Sequence, residues 1–240
     1  MTIPPPLDPQ RHALFLDFDG TLVDLVDDPD AVRIAPHVLD RLSVLQSELS
    51  GALAVVSGRR IADLDRFLSP LRFAAAGVHG LERRADPGDP ISRLMEPEAL
   101  DTIRRTLQAE LAAEPRLKLE DKGMALVLHY RTAPDLAGLA AQIMAGATDG
   151  REDLVVMKGD QIVEVHPAGM DKGVAVADLM GQGPFIGRTP IYAGDDVTDE
   201  YALRHVSEAG GISIKIGGAA TCAEYRLADV SALHDWLGAR

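Results

Sequence analysis

Asp17-Phe18-Asp19-Gly20-Thr21-Leu22 closes an apolar run at residues 13–18 and sets two carboxylates at i and i+2. Emerging from a buried strand, such a pair can bring both side chains near one reacting phosphorus, while the glycine lets the backbone turn tightly. Alone, the pair also reads as a helix cap and a turn residue; the apolar run before it and Gly20-Thr21 after it favour chemistry. A second acidic group, Gly194-Asp195-Asp196-Val197-Thr198-Asp199-Glu200, follows another apolar run. Neighbouring carboxylates are costly unless solvated or gathered about a hard cation with oxygen ligands, for which magnesium is the first choice. Asp195 is the leading ligand of this group, with Asp196 and Asp199 second, as ligands or as outer partners.

These residues need a scaffold that presents them along one edge. Residues 13–18, 52–56, 73–77, 189–193 and 211–216 read as short buried strands, the last of these closing the set. Between them, residues 36–49, 61–68 and 173–180 show helical spacing. Alternating strands and helices with polar residues at the strand ends describe an α/β fold with a parallel, Rossmann-like sheet and its site at the carboxyl edge. The turn-rich stretch Ala85-Asp86-Pro87-Gly88-Asp89-Pro90 opens a different unit. There, residues 98–111 and 135–146 read as helices, 117–130 as two strands broken near 121–123, and 154–165 as a hairpin across Lys158-Gly159-Asp160. The expected organisation is a core of residues 1–86 and 167–240 with a smaller α+β unit, 87–166, inserted.

The 240 residues are 46% hydrophobic and 25% charged, with a formal net charge of −13. That composition suits a globular core, and the charge repels nucleic acid and anionic membranes, so neither is an expected partner. The same field repels a phosphate ester, so an anionic substrate has to meet a local cation or a metal. Cys222, the single cysteine, excludes an internal disulfide framework, fits a reducing compartment and reads as a buried filler. Residues 1–12 carry prolines where a signal peptide needs an apolar run, and no eighteen consecutive apolar residues occur, so a soluble cytoplasmic protein is expected. There is no Gly-x-x-x-x-Gly-Lys loop, no His-Glu-x-x-His pair and no paired cysteines.

Asp17 to Leu22 resembles the first motif of the haloacid dehalogenase (HAD) superfamily of phosphohydrolases, Asp-x-Asp-Gly-Thr-Leu. The resemblance implies that Asp17 attacks phosphorus and ligates magnesium, and that Asp19 protonates the leaving oxygen, activates water and faces the metal through its carbonyl. It implies later motifs at later strand ends. Ser57, after the second strand, then hydrogen-bonds phosphate, although it also reads as a helix cap. Arg59 adds local positive charge, and Lys172, at a helix start, offsets the charge on phosphate and Asp17. The metal set so implied is Asp17, Asp19 and Asp195, with Asp196 beside them.

Within that superfamily, Gly-Asp-Asp-x-Thr-Asp-Glu, Ser57-Gly58-Arg59 and Gly77-Val78-His79-Gly80-Leu81-Glu82 resemble the trehalose-6-phosphate phosphatases. The likeness extends through Glu120, Lys122, His129-Tyr130-Arg131 and Glu164 of the inserted unit, which matches that family's cap. It implies a cap that closes on the core and reads the sugar, with Glu120, Lys122, Arg131 and Glu164 as contacts and Lys158 and Asp160 as weaker ones. A monomer with hinges near residues 85–90 and 166–169 is the corresponding expectation. Arg59, His79, Gly80 and Glu82 are counted with these contacts as substrate-binding residues, His79 by orienting its loop through hydrogen bonding and Glu82 by contacting sugar, unless it pairs with Arg83 or Arg84. Phe18 stands where the family often has Tyr, and any trehalose-6-phosphate synthase is expected to be a separate chain. The implied activity is hydrolysis of trehalose 6-phosphate with Mg2+. A phosphatase of sucrose phosphate or mannosylglycerate phosphate is the near alternative, and a non-catalytic sugar-phosphate sensor the distant one.

Overall fold

The computed structural model describes residues 2–26, 28–94, 100–159 and 161–239. It divides into two compact units, Met1–Ser92 with Asp171–Arg240, and Arg93–Met170.

The first unit is organised by β1 (His12–Leu16), whose residues after His12 are all buried. A strand apolar on both faces can sit only in the middle of a covered sheet. Accordingly β1 pairs in parallel with β10 (Thr189–Gly194) on one side and β2 (Leu53–Val56) on the other, with Leu14 opposite both Ile191 and Leu53. The sheet runs β12 (Tyr225–Leu227), β11 (Ile212–Ile216), β10, β1, β2, β3 (Ala74–Gly77), β4 (Glu82–Arg84), β5 (Ser92–Arg93). It is parallel from β12 to β3, and β4 returns antiparallel to β3. Helices α1 (Pro36–Glu48), α2 (Ile61–Phe67), α5 (Lys172–Met180), α6 (Asp199–Glu208) and α7 (Val230–Leu237) alternate with the strands. In α1, Pro36 opens the first turn, and Val38, Leu42 and Leu45 bury one stripe.

The second unit is a four-stranded antiparallel sheet in the order β6 (Lys118–Asp121), β7 (Leu126–His129), β9 (Ile162–Pro167), β8 (Leu154–Gly159). Its core joins Leu126, Leu128, Val163 and Val165 to Ile103 and Leu107 of α3 (Asp101–Leu111) and Ala140 and Met144 of α4 (Ala137–Ala147). Alternation then directs Val127 and Glu164, which are register partners, to the opposite face.

The chain thus has an α/β core built on a mostly parallel sheet, with a smaller α+β unit. The expected strands and helices are present within a few residues, but the strand at 211–216 is not the last, because β12 follows it. Neither β4, β5, β12, α6 nor α7 was expected. The three strands have two or three residues, too few to show a period, and α6 begins inside the acidic motif, where Asp199 and Glu200 suit a helix N-terminus. Glu98 and Asp160 lie outside the described residues. Cys222 is exposed rather than a buried filler, because its loop is held by polar bonds: Glu200 accepts from the Cys222 N–H and the Thr221 hydroxyl.

Candidate active site

At the carboxyl end of β1, the Asp17 N–H donates to Ala193 O of β10 at 3.0 Å, which ties the two central strands together where the acids begin. Gly20 takes φ +77°, and a Cβ there would stand 2.2 Å from an Asp195 carboxylate oxygen. Glycine therefore permits both the turn and the close approach of the second acidic group. Thr21 Oγ1 donates to Asp195 Oδ1 at 3.1 Å.

Lys172, at the first turn of α5, is buried and donates from Nζ to Asp17 Oδ1 at 2.7 Å and to Asp199 Oδ1 at 2.6 Å. The Asp171 carboxylate caps the helix by accepting from Val174 N–H, which fixes where Lys172 starts. Asp199 is buried at the N-terminus of α6. Its Oδ1 also accepts from the Tyr192 hydroxyl at 2.6 Å, and its Oδ2 accepts from the N–H groups of Asp195 and Asp196 at 3.0 and 2.9 Å. A Cβ on Gly194 would stand 2.4 Å from the Asp199 carboxyl carbon, so this packing too requires glycine.

The charges are not in balance. Burial first, and then the Asp199 charge, push the Asp17 carboxyl well above its usual range, with Lys172 pulling the other way. The same two causes raise Asp195 to about 6. Lys172 is raised because Asp17 and Asp199 outweigh its burial, and the Tyr192 hydroxyl is raised by burial and then by Asp199. One oxygen each of Asp17, Asp195 and Asp199 lies within 4.8 Å of the others. Three carboxylates beside one ammonium leave excess negative charge, and the free donors on Asp17 and Asp195 are hard oxygens; a hard divalent cation fits that chemistry. Of the two second choices, Asp199 joins the cluster, while Asp196 is exposed on the loop and contributes its backbone.

Arg59 grips Asp19 with both ends, Nε to Oδ2 at 2.6 Å and Nη2 to Oδ1 at 2.7 Å. Its guanidinium lies over the Phe67 and Phe18 rings, 4.8 and 5.5 Å from their centroids. Ser57 is buried; its Oγ accepts from Arg59 N–H, and α2 has no side-chain cap from its own N-cap residue, Arg60. Glu82 fills that role, its buried carboxylate accepting from Ile61 N–H at 2.8 Å. Arg83 and Arg84 bond to Asp178 and Asp65. His79 stands in the loop after β3 at φ 52°, following Val78 at φ 48°, a strained arrangement for a β-branched residue. Gly80 completes that loop and is buried.

In the second unit, His129 Nε2 and Glu120 Oε2 are 2.8 Å apart, and this bond, against burial and with help from the Lys122 charge, lowers the Glu120 carboxyl. Lys122 Nζ is 3.8 Å from Glu164 Oε2, an ion pair beyond hydrogen-bond length. Arg131 and Lys158 are exposed. Sequence reasoning missed Tyr192 and Lys215. Lys215 is buried and donates to Glu200 at 3.0 Å and to Asp196 O at 3.3 Å, propping the acidic loop from β11. The available signal was a polar residue inside each apolar run.

Among the described residues, no helix is long and apolar enough to cross a membrane. Residues 15–231 match the trehalose-phosphatase family. The chain is 41% identical over 228 residues to the trehalose-6-phosphate phosphatase of Escherichia coli K12, covering 95% of this chain and 85% of that one. It is 43% identical over 211 residues to a probable trehalose-phosphate phosphatase of Sinorhizobium fredii, covering 88% and 79%. The C-terminal domain of the C. albicans trehalose-6-phosphate phosphatase has the same fold, with TM-score 0.79, 23% identity and 98% of each chain covered.

Proposed function

The chain belongs to the trehalose-phosphatase family, and from that premise we propose that it hydrolyses trehalose 6-phosphate to trehalose and phosphate, the last step of trehalose biosynthesis. Asp17 attacks phosphorus in line, forming an aspartyl phosphate as the bond from phosphorus to the sugar oxygen breaks. Asp19 gives its proton to the departing oxygen and then takes one from the water that attacks the aspartyl phosphate, releasing phosphate and restoring Asp17. Arg59 occupies both Asp19 oxygens, so that pair opens before Asp19 carries a proton; the substrate phosphate is a competing anion for the guanidinium. Lys172 offsets charge on Asp17 and the phosphoryl group, and Ser57 hydrogen-bonds phosphate.

Asp17 and Asp195, with the Asp19 carbonyl, are the residues to hold Mg2+, which when bound stabilises charge on the phosphoryl oxygens as a Lewis acid. Asp199 already accepts four hydrogen bonds, so it orients the cluster rather than ligating. His79 and Gly80 shape the loop beside Ser57, and Glu120, Lys122, Arg131 and Glu164 of the second unit read the sugar. The observation that carries this reading is the buried line Asp17–Lys172–Asp199, with Asp195 beside it, at the end of the central strands.

The test is phosphate release from trehalose 6-phosphate, glucose 6-phosphate, sucrose 6-phosphate and mannosylglycerate phosphate, with Mg2+ and with EDTA. Metal-dependent preference for trehalose 6-phosphate is expected. Preference for another ester overturns the substrate, and no release from any overturns the reaction.

A further inference from the structure

Lys172 Nζ is shared between two carboxylates at nearly equal distance, 2.7 Å from Asp17 and 2.6 Å from Asp199. A shared ammonium moves towards whichever partner carries the less compensated charge. Asp199 Oδ2 is satisfied by two backbone N–H groups, so the balance rests on Oδ1, which Lys172 shares with the Tyr192 hydroxyl at 2.6 Å. Tyr192 is fully buried in the central strand β10, in register with Phe15 of β1. A phenyl ring alone would fill that space. A buried hydroxyl costs free energy unless it is bonded, and here it is bonded to Asp199.

We infer that Tyr192 is a positioning residue: by donating to Asp199 Oδ1 it takes up part of that carboxylate's demand and leaves the Lys172 ammonium on Asp17. Without the hydroxyl, Asp199 draws Lys172 to itself, and the nucleophile loses the ammonium bonded to it. The inference rests on the phosphatase reading for its kinetic consequence, but its geometric consequence is independent of it. Asp195 keeps its own backbone bond to Asp199 and its bond to Thr21, so the metal-binding side of the cluster is spared.

The test is Tyr192→Phe, which keeps the ring and removes one oxygen. Expected on trehalose 6-phosphate is a kcat lower by about ten-fold, with KM and the Mg2+ half-saturation concentration within about two-fold of wild type. In an Asp199→Asn background, the same substitution should change the residual kcat by less than about two-fold, because its route of action is gone. A crystal structure of Tyr192→Phe should place Lys172 Nζ beyond about 3.5 Å from Asp17. An unchanged kcat with Lys172 in place overturns the inference, as does a kcat loss of equal size in the Asp199→Asn background. If wild type hydrolyses no sugar phosphate, the function fails, and the position of Lys172 in the variant structure alone decides the inference.

Discussion

The two units differ in how they hold the charged residues of the proposed site. In the first, Asp17 and Asp199 are buried and each accepts from the buried Lys172, at 2.7 and 2.6 Å. In the second, Glu120 meets His129 with both side chains partly exposed, Lys122 lies 3.8 Å from the buried Glu164, and Arg131 is exposed. Bond-making chemistry needs charges fixed in advance, because reorganising them during reaction adds to the barrier. Recognition of a polyhydroxylated sugar needs donors and acceptors that can still adjust. A buried network of the first kind should respond to single changes in kcat, and a loose array of the second kind in KM.

The largest expected effect is at the nucleophile. Asp17→Asn should lower phosphate release by more than about 10³-fold while circular dichroism stays unchanged, since the amide keeps the shape but cannot attack. Near-normal rates would break the contrast at its strongest point.

Next comes the electrostatic strain of the cluster without metal. The Asp195 carboxyl is raised to about 6, above its unfolded value, so between the two values the folded state binds more protons and stability falls as pH rises. Screening at this partly open position leaves about 1–2 kcal/mol of loss between pH 4 and 7. In EDTA, urea unfolding of wild type should show that loss relative to Asp195→Asn. Added Mg2+ should raise the unfolding midpoint more at pH 7.5 than at pH 5, where protons compete for Asp195. Equal pH profiles for wild type and Asp195→Asn would remove the premise that the cluster is short of cations.

In the second unit, Arg131→Ala should raise KM for trehalose 6-phosphate about ten-fold with kcat within about three-fold. A kcat loss without a KM change would erase the division between the units. The smallest effect is expected at Glu82. Glu82→Gln should lower stability by about 1 kcal/mol through the weakened interaction with the α2 N-terminus, measured by urea unfolding. Its kcat/KM should stay within about two-fold, and a larger loss would return Glu82 to the substrate.

Much of the core was legible because its signals are local. The runs that became β1, β2, β3, β10 and β11 are apolar and short, the acidic motifs stand at the ends of β1 and β10, and Lys172-Gly173 opens α5. The second unit's sheet was legible for the same reason, through alternation in β8 and β9. The strands that escaped had no length, as with β4 and β12, and elsewhere a local pattern was overruled by a distant partner. Ser57 reads locally as a cap for α2, yet Glu82, 21 residues on, holds Ile61 N–H.

By itself, then, the sequence determined which residue types stand at the strand ends, and hence the family and the chemistry available to it. Only the tertiary structure decided who bonds to whom. Lys172 and Asp17 are 155 positions apart and meet because α5 packs against α6 and against β2, the neighbour of β1. Arg59 and Asp19 are 40 apart and meet because β2 lies on β1's other side. Asp199, rather than Asp196, faces inward because α6 begins there and turns Asp199 beneath the loop, and Tyr192 reaches it from within the sheet. Hydrogen bonds and ion pairs act over a few ångströms, so their partners are set by which strands become neighbours, a choice made by the packing of the whole core.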